Sequence, residues 1–246
     1  MRSALMIRCL LLCLSGAMLF TACKKSTGEG TTRVLVSNAT ITTNDLAVVW
    51  SSVSLTPTAL AMGKTSGTTA APYQVLPGGT NSLVLQSGTS VLLNKNIYGA
   101  PAGHYSMLVY DSSQTATTPS IIMLTDDLTA VDSVNHANYR FIYCAPDTLA
   151  VDFYLTNSTD TIAVTSQSFI GPSPNPSSYQ AFITGKRGSY KPYVFETGTA
   201  FTSTALLSAD TIVLGSKAIY TLVYSGKRGS TGADSLKLTL IQHPAN

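Results

Sequence analysis

Charge is scarce in this 246-residue sequence: Asp, Glu, Lys and Arg together make up 11% of it. The 15 basic residues nearly balance the 12 acidic ones, so the chain lacks the cationic footprint that nucleic acid demands. Histidine occurs only three times, at His104, His136 and His243, too far apart in sequence to suggest a metal site. His104 begins an expected strand, His136 falls in an expected linker and His243 is four residues from the end; each is read as a solvated surface residue. Nucleophile-elbow, zinc-protease and paired Cys-x-x-Cys motifs are all missing. Gly63-Lys64-Thr65 resembles the end of a phosphate-binding loop, but Thr58 stands where its first glycine belongs, so the segment is read as an ordinary loop. No window of helical period exceeds two turns, which argues against a helical or mixed fold.

One long apolar run is present, and it is at the start. Arg2 and Arg8 precede Cys9–Phe20, a run of 12 residues and too short to span a bilayer comfortably. Residues 1–22 therefore read as a signal peptide. Removing them takes the basic count from 15 to 13 against 12 acidic residues, a net charge of +1. The segment Phe20-Thr21-Ala22-Cys23 resembles a bacterial lipobox, with Phe20 where leucine is usual, and the Cys-Lys-Lys start resembles lipoproteins of Bacteroidetes-type bacteria. The resemblance implies lipidation of Cys23 and attachment by acyl chains, each buried methylene contributing about 0.8 kcal/mol. Lys24, rather than Asp, follows the cysteine, which by analogy implies the outer membrane, with periplasmic or external orientation open. Cys9 and Cys13 leave with the leader, so Cys144 is left without an intramolecular partner and reads as a small buried hydrophobe.

Residues 23–32 (CKKSTGEGTT) read as a flexible tether. Beyond them, short runs rich in Val, Ile, Leu, Thr and Tyr recur between Gly, Pro, Asn and Ser: 33–39, 46–53, 82–88, 104–111, 120–127, 139–145, 149–155, 179–185, 190–197, 219–225 and 235–242. Many short strands at this spacing predict an all-β protein made of sandwiches. An internal repeat sharpens the expectation. Arg33-Val-Leu-Val and the run from Leu46 match Arg140-Phe-Ile-Tyr and the run from Leu149; Leu83-Val-Leu-Gln-Ser-Gly-Thr matches Tyr193-Val-Phe-Glu-Thr-Gly-Thr; His104–Tyr110 matches Ile219–Tyr224. The reading is two tandem domains, 33–129 and 138–246, joined by a linker at 130–137. Residues 139–154 (YRFIYCAPDTLAVDFY) and Tyr220-Thr-Leu-Val223 resemble the bacterial domain-of-unknown-function family numbered 4397. That resemblance implies Ig-like antiparallel β-sandwiches on secreted or lipidated envelope proteins, and brings no catalytic residues.

Four features could carry chemistry. Thr184-Gly-Lys-Arg-Gly-Ser and Ser225-Gly-Lys-Arg-Gly-Ser are near-identical hexamers. They read as two glycine turns, or, if they meet, as an anion-binding patch of Lys186, Arg187, Lys227 and Arg228. Asp-Ser/Thr-apolar triplets place candidate O-glycosylation acceptors at Ser133, Thr148, Thr161, Thr211 and Ser235, with strand entry after a turn as the plain alternative. Trp50, Tyr73, Tyr98, Tyr105, Tyr110, Tyr179, Tyr190 and Tyr193 are core aromatics or, where a row is exposed, a sugar platform. Asp126, Asp127 and Asp132 read as a solvated entrance to the linker, unless they converge in a cleft. The functional expectation is a non-catalytic, lipid-anchored envelope protein with an adhesive, binding or structural role, or else a carbohydrate-binding accessory of a glycan-uptake system. Its partners would be the membrane and an envelope protein or glycan, with no cofactor.

Overall fold

A computed structural model describes residues 30–43, 45–131, 133–146, 149–201 and 204–245. Within them the protein is all-β, with two single-turn 3₁₀ segments, and no helix is long and apolar enough to cross a membrane. The N-terminal half carries β1 (Thr31–Asn38), β2 (Leu46–Trp50), β3 (Val53–Ser54), β4 (Gln74–Pro77), β5 (Gly79–Ser87), β6 (Ser90–Gly99), β7 (His104–Tyr110) and β8 (Ser120–Thr125). They form two sheets, ordered β4-β1-β7-β8 and β3-β2-β5-β6. The C-terminal half repeats the plan with β9 (His136–Tyr143), β10 (Val151–Thr156), β11 (Thr161–Gln167), β12 (Ile183–Lys186), β13 (Gly188–Glu196), β14 (Leu207–Ser208), β15 (Ile212–Leu214), β16 (Ile219–Ser225) and β17 (Lys237–His243). Its sheets run β12-β9-β16-β17 and β11-β10-β13, with β14 and β15 both on β13. In each half the first strand pairs in parallel with a late one, β1 with β7 and β9 with β16. The expected immunoglobulin-like order, four strands ABED over three CFG, is not the order seen.

Side-chain alternation stacks the four sheets. In β1, Val34 and Val36 point into a core shared with β2 and β5, while Leu35 points the other way. In β9, Tyr139, Phe141 and Tyr143 join a core with β10 and β13, while Ile142 points away. Leu35, Leu108, Ile122, Ile142, Cys144, Val223 and Ile241 meet in a third core between the halves. β1, β7, β9 and β16 are thus covered on both faces, which is why their sequences are near-continuous apolar runs rather than alternating ones.

Each half also sends a segment across this seam. The N-terminal half's crossing segment reaches β17, where Thr239 Oγ1 donates to the Gly63 carbonyl at 3.2 Å. The C-terminal half's segment reaches β7, where the Tyr110 hydroxyl donates to the Gly171 carbonyl at 2.9 Å.

Several boundaries differ from the sequence reading. Thr31 and Thr32, read as tether, already belong to β1, with Thr32 fully buried. His136 and Ala137, read as linker, open β9. Tyr179, Gln180 and Ala181, read as strand, precede β12 instead. Tyr105 and Tyr220 mark equivalent points of the two halves. Each phenol oxygen accepts a backbone N–H from five residues upstream, Ala100 at 3.1 Å and Gly215 at 2.9 Å. Opposite them lie Val34 and Tyr139, so Leu35, not Arg33, is the counterpart of Arg140. The match of Leu83 to Tyr193 is out of phase as well: Leu83 and Leu85 face a core, whereas Tyr193 and Phe195 face outward. A one-residue slip turns every side chain to the other face.

Leu108 is fully buried in the seam, so Leu108→Ala is expected to cost about 2–5 kcal/mol, read from the urea midpoint. A loss below about 1 kcal/mol would mean the seam is loosely packed.

Candidate functional site

The densest polar chemistry lies in the seam, where the sequence reading expected solvent. Arg140 is 2% exposed on β9, Asp126 is 6% exposed just past β8, and His243 is 2% exposed at the end of β17. Asp126 was expected at a solvated linker entrance and His243 at a solvated C-terminus. Both are buried because β8 and β17 are edge strands that the opposite half covers. Arg140 Nη2 and Asp126 Oδ1 form a close ion pair. Arg140 Nε donates to Thr221 Oγ1 at 2.9 Å, and Nη1 donates to the carbonyls of Thr125 at 3.2 Å and Gln180 at 3.3 Å. The guanidinium lies 4.5 Å from the centre of the Phe182 ring.

The remaining partners close a ring. Thr221 Oγ1 and His243 Nε2 are 2.8 Å apart, and His243 Nδ1 and the Tyr73 hydroxyl are 2.8 Å apart. Tyr73 donates to Asp126 Oδ2 at 2.7 Å, and Ser106 Oγ donates to the same oxygen at 2.9 Å. The direction of every bond follows from chemistry, since arginine only donates and carboxylate only accepts. Arg140 donates to Thr221, Thr221 to Nε2 of His243, Nδ1–H to Tyr73, and Tyr73 to Asp126. The network therefore assigns a neutral His243 with its proton on Nδ1. Burial pushes the His243 pKa down to about 4, with Asp126 opposing and Arg140 reinforcing the shift. Burial also raises the Tyr73 pKa, reinforced by Asp126, and lowers that of Arg140 against the pull of Asp126. Tyr73, Ser106 and Asp126 come from the N-terminal half; Arg140, Thr221 and His243 come from the C-terminal half. Hydrogen bonds within this set satisfy its charges and hold the two halves in register.

Two open clefts flank the ring, each about 470 Å³. One is lined by Arg33, Pro72, Tyr73, His104 and Pro244; burial and the nearby Arg33 lower the His104 pKa. The other is lined by Thr125, Asp127, Asn138, Gln180, Phe182 and Thr184. Asp127 is exposed where Asp126 is buried, so the expected acidic trio does not converge; Asp132 lies outside the described residues.

The two hexamers do not meet. Lys186 pairs with His136 at the start of β9, while Lys227 follows the end of β16, which runs parallel to β9. They therefore stand at opposite ends of one sheet and cannot build a joint anion patch. Lys186 lies 3.8 Å from Asp160, Arg228 lies 3.3 Å from Glu196, and Arg187 and Lys227 are exposed. Their leading glycines serve packing: a Cβ on Gly185 would sit 2.7 Å from the Tyr139 ring, and one on Gly226, at φ +102°, 2.3 Å from the Ser235 carbonyl.

Cys23 and Thr148 lie outside the described residues. Thr161 and Thr211 are exposed, Ser133 is half-buried, and half-buried Ser235 donates to the Gly232 carbonyl at 2.8 Å. Cys144 is fully buried directly after β9, and its thiol pKa is raised by that burial.

The aromatics divide. Trp50, Tyr110 and Tyr190 are core, Tyr73 belongs to the ring, and Tyr98 is 61% exposed. Tyr105 and Tyr179 are half-buried. On the outer face of the β10–β13 sheet, Tyr154 and Tyr193 lie side by side with exposed Phe201 standing edge-on to both, at 5.3 and 5.5 Å. Phe201 covers its neighbours, so these rings form a small outer cluster rather than an open row.

No family model matches the sequence, and no curated protein matches it. Among solved structures the chain is similar to the family 26 carbohydrate-binding module CBMbc of Eubacterium rectale Amy13K, determined in complex with maltoheptaose. The similarity covers 87% of this chain and 98% of that one, at 11% identity and a TM-score of 0.24. Likeness at that level transfers nothing to this protein.

The fixed tautomer and depressed His243 pKa set a sign for acid stability. Between pH 6.5 and 4 the unfolded chain binds a proton at this histidine that the folded chain refuses. Stability should fall as pH drops through that window, by about 3 kcal/mol for the full shift. His243→Gln should flatten the decline in urea titrations. Nitrogen-15 shifts of His243 at neutral pH should show Nδ1 protonated and Nε2 bare; the reverse tautomer would break the ring.

Proposed function

We infer that this chain is a non-catalytic, lipid-anchored envelope protein whose two tandem β-sandwiches act as one rigid binding or scaffolding body. The observation that carries the reading is the closed ring at the seam. The groups best suited to acid–base work, Asp126, Tyr73 and His243, are buried in bonds to one another. What faces solvent is sheet, loop and the two shallow clefts, which suits recognition rather than reaction. The tandem organisation is supported by the like strand orders of the two halves and their equivalent tyrosines. Lipidation at Cys23, placement at the outer membrane and kinship with the family numbered 4397 rest on the residues quoted for them above. Of the Asp-Ser/Thr-apolar triplets, those at Thr161 and Thr211 present exposed acceptors for a surface glycan.

The anchor is tested by fractionation. Wild-type protein is expected in the membrane pellet and Cys23→Ala in the soluble fraction, with the intact mass of native protein exceeding the polypeptide by its acyl chains. Protease shaving of whole cells then reports which side of the outer membrane the protein faces. A Cys23→Ala protein that still pellets with membranes would remove the anchor from the account.

A further inference from the structure

We propose that the seam cleft beside Phe182 is a binding site for a neutral saccharide. The inference rests on the reading of the chain as a binding protein and names the ligand class.

The cleft's volume of about 470 Å³ falls within the usual range for small-molecule sites, about 300–1,000 Å³. Its walls come from both halves: Thr125 ends β8 and Asp127 follows it, Asn138 is on β9, Thr184 is on β12, and Gln180 and Phe182 belong to the crossing segment. Because the ring of hydrogen bonds fixes the halves, these walls are held before any ligand arrives.

The lining has the chemistry a sugar needs. Phe182 supplies an aromatic surface, and its ring is immobilised by the Arg140 guanidinium at 4.5 Å and by His243 edge-on at 5.9 Å. A pyranose presents an apolar C–H face that such a surface accepts. Around it stand polar groups that the protein itself leaves unused. Thr184 Oγ1 donates to Asn138 Oδ1 at 2.8 Å, and among the described residues both N–H bonds of Asn138 Nδ2 lack an acceptor. Gln180 spends only its backbone carbonyl, on Arg140, so its side-chain amide is likewise unpaired among the described residues. Asp127 accepts from the Thr129 backbone N–H at 3.0 Å. Bonds from the Thr129 hydroxyl and backbone hold its carboxyl below the usual range, so it stands ionised as an acceptor. One carboxylate, two amides and one ring match vicinal hydroxyls over a C–H face.

The same lining selects against charge. No cationic side chain lines the cleft, and the nearby Arg140 is already neutralised by Asp126. Phosphorylated and uronic-acid sugars would meet Asp127 with nothing to compensate the repulsion.

The test uses the mature chain and a panel of neutral oligosaccharides of glucose, galactose, mannose and N-acetylglucosamine, with glucose 6-phosphate and oligogalacturonate as charged controls. Isothermal titration should find at least one neutral sugar bound and the charged controls unbound. The double variant Asp127→Ala/Gln180→Ala should weaken that affinity by about tenfold or more while leaving the melting temperature unchanged, since neither side chain contacts the ring. Neutral-sugar affinity unchanged in the double variant would overturn the site. So would preference for a charged sugar, or no binding of any neutral sugar at about 10 mM. Release of new reducing ends from a bound sugar would uphold the site and overturn the non-catalytic reading instead.

Discussion

A buried guanidinium and a buried carboxylate at the seam are the constraint on which the rest of this structure depends. Taking two ions out of water is expensive, and the attraction between them offsets that only when the surrounding hydrogen bonds are complete. Here they are: Arg140 has acceptors at Nε, Nη1 and Nη2, and Asp126 receives Arg140, Tyr73 and Ser106. The requirement is geometric as well as energetic. No part of the set is complete unless both halves are present and aligned, so the polar ring fixes a register that apolar contacts between Leu108, Ile142 and Val223 would leave loose. The crossing segments and the rigid walls of the flanking clefts follow from that alignment.

The two halves share a plan and differ in how they use it. On the outer face of the β10–β13 sheet the one-residue change of phase turns Tyr193 and Phe195 toward solvent, where Phe201 and Tyr154 cover them. The corresponding N-terminal strand keeps Leu83 and Leu85 inside. Near-repeated sequence is thus compatible with unlike surfaces, because in a strand the face a residue occupies depends on parity.

Much of the fold was legible. Strands near 46, 104, 120, 139, 190 and 219 announce themselves by β-branched and aromatic runs, and the repeat is plain in the matched segments. β6 was missed because Asn94, Lys95 and Asn96 dilute it; it is an edge strand with Val91 and Tyr98 exposed, so polar residues are tolerated there. β11 was missed likewise, since Thr161-Ile-Ala-Val-Thr-Ser-Gln is an edge strand with little apolar content. The seam was legible in principle. Val34-Leu-Val, Met107-Leu-Val-Tyr and Phe141-Ile-Tyr-Cys have no polar face, as a strand covered on both sides requires. Which polar residues would meet there was not legible. Asp126, Arg140 and His243 are apart in sequence, and each alone looks like a surface residue; only the face-to-face packing of two sheets brings them together.

The central claim is that the halves form one body because of the seam, and equilibrium urea unfolding with two probes tests it most directly. Trp50, the only tryptophan and fully buried in the N-terminal core, reports one half by fluorescence. Hydrogen exchange of β10 and β13 reports the other. Coincident transitions in the wild type, separating in Arg140→Met, are what the account predicts. Two separate transitions already in the wild type, unmoved by Arg140→Met, would contradict it.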